Sequence, residues 1–293
     1  MAASPTRIWT GEDLSDTEFT VIAELLREQR QFDLGQYKDR CVRRRIAKRL
    51  RVCQVADFPS YLEKLDTDRD ELDALLATIS IHVSQFFRNP DTFRILEQNI
   101  LPDLYRRARE DGRTELTLWS AGCASGEEPY SLALLVDELD ATDLNIRILA
   151  TDISEPVLKT AQLGCFDEAR IKEAPPEVRE KYFHKENGHY TLIDRIRDKV
   201  EFLRHNIMTA SEYPAADLIL CRNVLIYFTR PEQERILTRF AAALPRYGAL
   251  VLGRSEAMTG NIRCYYQSEF PVERVYRRTA EPVETPVIAE IGL

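Results

Sequence analysis

The chain has 293 residues and the composition of an ordinary globular protein, with 44% hydrophobic and 30% charged residues. Its formal net charge of −8 argues against a general nucleic-acid binder, although it leaves room for a local basic patch. No apolar run approaches the roughly 20 residues of a membrane helix, and no secretory signal pattern is present. Six scattered cysteines without C-x-x-C spacing or nearby histidines predict reduced thiols, no metal site and a cytoplasmic protein.

The first part of the chain shows only helical patterns. Helices are predicted over residues 17–29, 37–51, 58–65 and 69–81. Ser15 and Asp16 are candidate caps for the first of them. Val42, Ile46 and Leu50 lie four residues apart and form one apolar stripe on the second. We therefore predict an all-helical N-terminal domain over residues 1–89.

The second part, residues 90–278, alternates between predicted helices and predicted strands. A polar helix over residues 90–109, broken at Pro102, comes first. Strands are predicted over 115–120, 146–151, 200–205, 217–221 and 249–254, and helices over 127–139, 155–163 and 231–244. Such alternation indicates an α/β fold with a parallel sheet between helices. Residues 164–199 interrupt it as an insertion with its own small subdomain, and residues 279–293 are predicted to be a disordered tail.

A loop of small residues follows the first of these strands. The sequence AGCASG at residues 121–126, which includes Gly122, leads into a helix that begins with Glu127 and Glu128. A strand, a glycine turn and a helix N-terminus form a nucleotide-type site. Two acids in the first turn would repel a pyrophosphate but attract the sulfonium and amino groups of S-adenosylmethionine, although acids here also satisfy the helix dipole. The loop also lacks the glycine and lysine patterns of phosphate-binding loops.

The next strand ends in Asp152, where an acid can accept hydrogen bonds from both ribose hydroxyls. Enzymes that bind NAD share this acid, so Asp152 does not distinguish the two cofactors. The glycine pattern and the acidic helix start favour a methyltransferase over a dehydrogenase.

Six segments in order carry a resemblance to a known family. They are IHVSQFFR (81–88), SAGCASGEEPYS (120–131), ATDIS (150–154), VEFLRHNI (200–207), DLILCRNVLIYF (217–228) and LGRSEAM (252–258). Together they resemble the CheR family, the chemotaxis methyltransferases that esterify receptor glutamates, from about residue 17 to 278. The resemblance implies a Rossmann-like S-adenosylmethionine methyltransferase sheet, a small all-helical N-terminal domain and an inserted small β-subdomain at about residues 164–199.

The resemblance also implies site residues. The contacts to S-adenosylmethionine, whose product is S-adenosylhomocysteine, would come from His82, Ser84, Arg88, Gly122, Glu128, Asp152, Asn206, Ile207, Arg222 and Asn223, and Tyr227 would lie beside the transferring methyl group. The stretch between Tyr182-Phe183 and Val200 is shorter than in members that bind a receptor's C-terminal tethering peptide, which favours action independent of such a peptide.

Esterifying a glutamate requires little acid–base catalysis, because a carboxylate with a pKa near ~4.3 is already ionised at neutral pH. The enzyme must align the carboxylate with the methyl group in a dry site. Arg88 and Tyr227 are the candidate catalytic residues. Arg88 would orient the carboxylate, and Tyr227 would add a hydrogen bond and line the site with its ring. The plainer alternatives are a structural salt bridge for Arg88 and a core aromatic for Tyr227.

A run of cations stands out in the second predicted helix of this acidic chain. It contains Arg40, Arg43, Arg44, Arg45 and Lys48. A solvated face is the usual role of such a run, but its self-repulsion favours an acidic partner. The resemblance indicates the same, since the receptor's methylation helices are rich in glutamate. We therefore predict that these residues dock a chemoreceptor cytoplasmic domain, without nucleic acid or membrane insertion, and that the protein is a monomer.

Two other functions remain open from the sequence. One is a methyltransferase of the same fold that acts on a small-molecule carboxylate or on a protein outside chemotaxis. The other is a non-catalytic adaptor that binds the cofactor. The presence of Arg88, Asp152, Asn223 and Tyr227 at the motif positions argues against the adaptor.

Overall fold

The computed structural model describes residues 9–10, 13–30, 32–79, 84–139, 142–258 and 260–283. These residues form two compact units. The first contains the described residues up to Ile79 together with Tyr227–Arg230, and the second contains the other described residues from Ser84 onward. Within these ranges no helix is long and apolar enough to cross a membrane.

The first unit is helical, as predicted. Its helices are α1 (Asp16–Arg30), α2 (Asp39–Cys53), α3 (Phe58–Thr67) and α4 (Arg69–Ile79). Helix α1 begins with a capping box, in which the Glu18 backbone N–H donates to Ser15 Oγ at 3.2 Å and the Ser15 N–H donates to the Glu18 carboxylate at 2.8 Å. The predicted stripe of Val42, Ile46 and Leu50 is almost completely buried and holds α2 against its neighbours. Residues 36–38 bond to the backbone of Tyr227 and Thr229, which joins that short segment to this unit.

The second unit is built on a central sheet. Its helices and strands are, in chain order, α5 (Pro90–Ile95), α6 (Leu101–Glu110), β1 (Glu115–Ala121), α7 (Glu127–Leu139), β2 (Asn145–Asp152), α8 (Glu155–Leu163), β3 (Cys165–Asp167), α9 (Glu168–Ile171), α10 (Pro176–Tyr182), β4 (Phe183–Glu186), β5 (His189–Leu192), α11 (Asp194–Arg197), β6 (Val200–Arg204), β7 (Leu218–Cys221), α12 (Arg230–Ala243), β8 (Ala249–Leu252), β9 (Tyr266–Phe270) and β10 (Val275–Arg278). The bounds of α7 and α8 are those predicted.

Among the described residues the central sheet has seven strands in the order β6-β2-β1-β7-β8-β10-β9. The first five run parallel, which confirms the predicted α/β fold. Strands β7 and β8 are buried along their whole length, as expected for strands covered on both faces. The antiparallel hairpin of β9 and β10 at one edge was not predicted.

The predicted break at Pro102 is wrong. Helix α5 continues through a π-helical stretch, Leu96–Ile100, directly into α6, where Pro102 lies in the first turn. A proline within a helix leaves the carbonyl four residues earlier without its usual donor. The wider π turn accommodates that loss without ending the helix.

The insertion forms the predicted small β-subdomain. Its three strands pair antiparallel in the order β3-β5-β4, with α9, α10 and α11 around them. The predicted disordered tail is only partly covered, because residues 284–293 lie outside the described residues. Thr279 is ordered, and it bonds through its N–H to Tyr265 O and through its hydroxyl to Cys264 O.

Candidate active site

Four neighbouring parallel strands end at the same edge of the sheet, and each is followed by predicted cofactor contacts. Gly122 follows β1, Asp152 ends β2, Asn206 and Ile207 follow β6, and Arg222 and Asn223 follow β7. The carboxyl ends of the strands in an open α/β sheet are where ligands bind. The structure therefore brings together the predicted contacts that lie on these four strands.

The loop after β1 requires glycine for conformational and for steric reasons. Gly122 has a φ of +78°, and a Cβ there would lie 2.6 Å from the Val224 side chain. The N–H groups of Gly122 and Cys123 both donate to Thr151 O, which fixes the loop to the end of β2. The main chain thus stays close to the strand ends, with room for a ligand against the backbone.

Asp152 holds the same loop with its carboxylate. One oxygen accepts from the Ala124 N–H at 3.0 Å, and the other accepts from the Ser154 N–H at 3.0 Å. Each carboxylate oxygen can accept more than one hydrogen bond. Asp152 therefore orders the loop, and the binding of ribose hydroxyls by its carboxylate stays a prediction.

Glu128 is a nearly buried acid at the start of α7. Its carboxylate accepts from Ser120 Oγ at 2.8 Å and from Arg222 Nη1 at 3.2 Å. The Arg222 side chain is itself 2% exposed and donates through Nη2 to Arg88 O and Asn89 Oδ1. Burial lowers the pKa of Arg222, and the Glu128 carboxylate opposes that shift. Arg222 and Ser120 thus fix the Glu128 carboxylate where a cationic ligand group is predicted.

Asn223 provides a test of whether the site fits a ligand. It has a left-handed backbone with φ of +62°. Its side-chain Oδ1 is buried and accepts no hydrogen bond from any residue that the structure describes. A buried acceptor without a donor costs free energy, which a bound ligand with N–H or O–H groups would recover. The residues at this edge thus fit a nucleoside ligand with amino and hydroxyl groups.

A buried acid that the sequence analysis did not assign supports the loop after β7. The Glu256 carboxylate accepts three backbone hydrogen bonds, from the N–H groups of Gly253 at 2.6 Å, Asn223 at 2.9 Å and Ile226 at 3.2 Å. Burial raises the pKa of Glu256, and these three donors oppose the shift. The sequence contains the motif GRSE, but nothing in it indicates that its acid binds a loop 30 residues earlier.

Glu127 does not share the environment of Glu128. Its fully buried carboxylate pairs with Arg170 Nη1 at 2.7 Å and accepts from Ser125 Oγ at 3.0 Å. Burial raises the pKa of Glu127 in spite of this partner. Each of the two acids thus pairs with an arginine, Glu127 with Arg170 and Glu128 with Arg222, and attraction of a cationic cofactor group stays a prediction for both.

The remaining predicted contacts in the second unit lie beside the start of α7 and in the turn after β6. Ser84 and Arg88 belong to the segment Ser84–Asn89, which passes the start of α7, where the Phe87 N–H donates to Ser131 Oγ at 2.9 Å. Asn206 and Ile207 form a turn after β6, in which Asn206 Oδ1 accepts from the Met208 N–H at 2.9 Å. The structure is compatible with a cofactor role for each of them.

Two predicted residues do not belong to the described part of the second unit. His82 lies outside the described residues. Tyr227 belongs to the first unit. The Arg45 guanidinium lies over the Tyr227 ring, 4.2 Å from its centroid, and the Tyr227 carbonyl accepts from the Lys38 N–H at 2.9 Å.

The run of cations on α2 is not a uniform exposed surface. Arg40, Arg44 and Lys48 are exposed, and Arg43 pairs with Asp16 and Asp39. Arg45 is 5% exposed, and its guanidinium donates to Ile79 O. The prediction of Arg45 as a docking residue is therefore wrong, because this position lies on the buried side of α2.

Comparison with known families agrees with this geometry. The profile described as CheR methyltransferase, SAM binding domain, matches residues 82–273, and the profile described as CheR methyltransferase, all-alpha domain, matches residues 17–80. The chain belongs to the CheR methyltransferase family. It is a methyltransferase dependent on S-adenosylmethionine, and the residues at the four strand ends are the part of the fold that fits this cofactor.

Two relatives named as chemotaxis protein methyltransferases match over most of their length. A chemotaxis protein methyltransferase of Listeria monocytogenes is 34% identical over 241 residues, which are 82% of this chain and 90% of that protein. Chemotaxis protein methyltransferase 2 of Pseudomonas aeruginosa is 31% identical over 263 residues, 87% of this chain and 92% of that protein. An uncharacterized 104.1 kDa protein of Rhodobacter capsulatus is 39% identical over 242 residues, but the chain spans only 25% of its length.

Proposed function

We propose that this protein methylates glutamate side chains on the cytoplasmic helices of a chemoreceptor, producing glutamyl methyl esters and S-adenosylhomocysteine. The observation that carries the proposal is the match of both CheR profiles, together with relatives named as chemotaxis protein methyltransferases that the chain covers almost completely. We propose further that it acts in the cytoplasm as a monomer.

The reaction requires that the substrate carboxylate be aligned with the methyl group and that the cationic cofactor be stabilised by charge. It does not require proton transfer. When bound, S-adenosylmethionine supplies an electrophilic methyl group, whose transfer to a carboxylate oxygen breaks the carbon–sulfur bond and leaves a neutral thioether. Glu128 supplies a negative charge for the cationic part of the cofactor, and Asp152 supplies acceptors for the ribose. Asn223 offers its buried Oδ1 to a further donor.

We assign the orientation of the substrate carboxylate to Arg88, and a hydrogen bond beside the methyl group to Tyr227. The Arg88 carbonyl is fixed by Arg222, which limits the movement of its backbone. Arg45 packs on the face of the Tyr227 ring and limits the rotation of that side chain. A carboxylate that is already ionised needs only such orientation and the exclusion of water.

Docking of the receptor is assigned to Arg40, Arg44 and Lys48, with Arg43 beside them. The three exposed cations make no ion pair with another described residue, so they can attract an acidic partner at little internal cost. A glutamate-rich receptor helix has the complementary charge. Because the inserted sheet is small, we propose that methylation does not require a C-terminal receptor peptide.

A methyl-transfer assay tests the proposal. The full-length protein is incubated with methyl-labelled S-adenosylmethionine and chemoreceptor cytoplasmic fragments, with and without their C-terminal peptide, and the label is tested for release by mild base. We expect base-labile label on both fragments at equal rates. Base-stable label, or label on small carboxylic acids alone, would contradict the proposed function. Cofactor binding without any transfer would indicate an adaptor.

A further inference from the structure

We infer that Arg170, in the inserted subdomain, is a positioning residue for the cofactor site. Its role is to hold the segment Ser84–Arg88 against the loop after β1, so that the insertion completes the cofactor site. The inference rests on the proposed function in one respect, the assignment of Ser84 and Arg88 as cofactor contacts.

One nitrogen of Arg170 joins the two parts. Nη1 donates to Glu127 Oε1 at 2.7 Å, at the start of α7, and to Ser125 Oγ at 3.2 Å, in the loop after β1. The same nitrogen donates to Ser84 O at 3.2 Å. Because the Glu127 side chain is fully buried and pairs with Arg170, the guanidinium is held where it can reach the Ser84 carbonyl.

The backbone and the aromatic core of the insertion add to this contact. The Phe86 N–H donates to Arg170 O at 2.9 Å. The fully buried Phe86 ring packs edge-on against Phe166 and Phe183, with centroids 4.8 Å and 5.2 Å away. The segment is thus bound to the insertion through residues on both sides of Gln85.

The conformation of the segment explains why it needs such support. Phe87 and Asn89 have φ of +52° and +63°. Residues other than glycine adopt left-handed conformations at a cost, and they keep them only where surrounding contacts over-determine the backbone. Arg222 fixes the end of the segment at Arg88 and Asn89, and Arg170 fixes its beginning.

It follows that the insertion contributes to cofactor affinity through the segment Ser84–Arg88. Without Arg170 the Ser84 end would be free to leave the site, and the cofactor would have to order it on binding. The carbonyl of residue 170 would still accept from Phe86, so the effect should be confined to the segment and the start of α7.

The test compares Arg170→Ala and Arg170→Lys with Arg195→Ala in the full chain. Arg195 is the matched control, because its exposed side chain also joins the insertion to α7, through an ion pair with Asp137 at 3.0 Å, far along the helix from Glu127. Affinity for S-adenosylhomocysteine is measured by calorimetry, and hydrogen exchange is followed in peptides that cover residues 84–88, β1 and β2.

We expect Arg170→Ala to weaken S-adenosylhomocysteine binding about tenfold, with faster exchange in residues 84–88 and unchanged exchange in β1 and β2. Lysine keeps a charge for Glu127 and should recover part of the affinity, and Arg195→Ala should match the wild type. If Arg170→Ala does not fold, Arg170→Lys decides by the same two measurements.

Wild-type affinity in the Arg170 variants would overturn the inference, and so would an equal rise in exchange across β1 and β2, which would show a general loss of stability. The proposed function fails separately. If the wild type binds S-adenosylhomocysteine but methylates no receptor fragment, the affinity comparison still decides the role of Arg170.

Discussion

The Arg222 guanidinium and the Glu128 carboxylate form a buried ion pair, with Nη1 and Oε2 3.2 Å apart, between the end of β7 and the start of α7. Neither group would be stable there alone, because an unpaired buried charge is costly. The pair therefore fixes the carboxylate at the strand ends, with its second oxygen held by Ser120. Since α7 begins with two acids and only Glu128 has this position, we predict that the electrostatic part of cofactor selection depends on Glu128.

The first prediction concerns Glu128→Gln. Removing the charge should raise the Kd for S-adenosylmethionine by about tenfold to a hundredfold, the usual range for a hydrogen bond to a charged group. Methylthioadenosine lacks both the sulfonium charge and the amino acid, so its affinity should change much less. Calorimetry with both ligands measures the difference, and Glu155→Gln on the exposed start of α8 is the control. Equal losses for both ligands would show that Glu128 supports the loop and does not bind the cation.

The second prediction concerns Glu256→Gln. Glutamine offers one oxygen and one NH₂ group to the three backbone N–H donors, so at least one of them loses its acceptor, at a cost of about 1–3 kcal/mol in stability. The loop that carries Asn223 and Ile226 would be held less firmly, and the KM for S-adenosylmethionine should rise. Thermal unfolding and steady-state kinetics check both effects.

Glu201→Gln, which breaks an exposed ion pair with Arg147, should change the Tm little and the KM not at all. A Glu256 variant with lower Tm but an unchanged KM would limit Glu256 to a role in stability.

The third prediction concerns the surface of α2. Reversing the charge of Arg40 and Arg44 together should raise the KM for the receptor fragment about tenfold or more at low salt, and much less at high salt, because exposed charges are screened. Affinity for S-adenosylhomocysteine should not change. Arg69→Glu, an exposed cation on α4 of the same unit, is the control. If the double variant methylates the receptor normally at every salt concentration, α2 does not dock it.

The fourth prediction concerns Glu71, the buried acid of the first unit. Its carboxylate accepts two hydrogen bonds from Arg49 at 2.6 Å and one from Tyr61 at 3.0 Å. Burial alone would raise the pKa of Glu71, but these partners lower it below its ordinary value of 4.5. The unfolded state then binds more protons than the native state in this pH window, so the stabilisation is complete above the ordinary value and is lost as the pH falls through the lowered pKa.

Glu71→Gln should therefore reduce the stability of the first unit by about 2 kcal/mol at pH 7, and by less at pH 3. Hydrogen exchange in peptides of α2 and α4 measures this local free energy. Asp73 lies on the same helix as Glu71 and makes an exposed ion pair with Arg30 of α1. Its replacement by asparagine should cost less than about 1 kcal/mol in stability. If the loss of stability in Glu71→Gln is as large at low pH as at pH 7, the charge of Glu71 does not cause that loss.

Most of the fold was predictable because apolar periodicity determines which faces are buried. The bounds of α7 and α8 followed from such patterns, and the order of the strands placed the cofactor residues at one edge. The hairpin of β9 and β10 was missed because β9 is largely exposed and polar, so it lacks the apolar run of the central strands.

The misassigned cation, Arg45, shows a different limit of prediction from the sequence. Arg45 lies three residues after Val42 and beside Ile46, so helical spacing places it on the apolar side of α2, and this could have been recognised. The roles of Glu127 and Glu256 could not, because their partners Arg170 and Asn223 lie 43 and 33 residues away in the chain, and only the folded backbone brings them together.

The central claim is that S-adenosylmethionine binds across the carboxyl ends of β1, β2, β6 and β7. A crystal structure of the complex with S-adenosylhomocysteine tests it most directly. We predict that the ribose hydroxyls donate to the Asp152 carboxylate and that a donor of the ligand lies within hydrogen-bond distance of Asn223 Oδ1. A ligand bound elsewhere, or bound at this edge without contact to Asp152, would contradict the account.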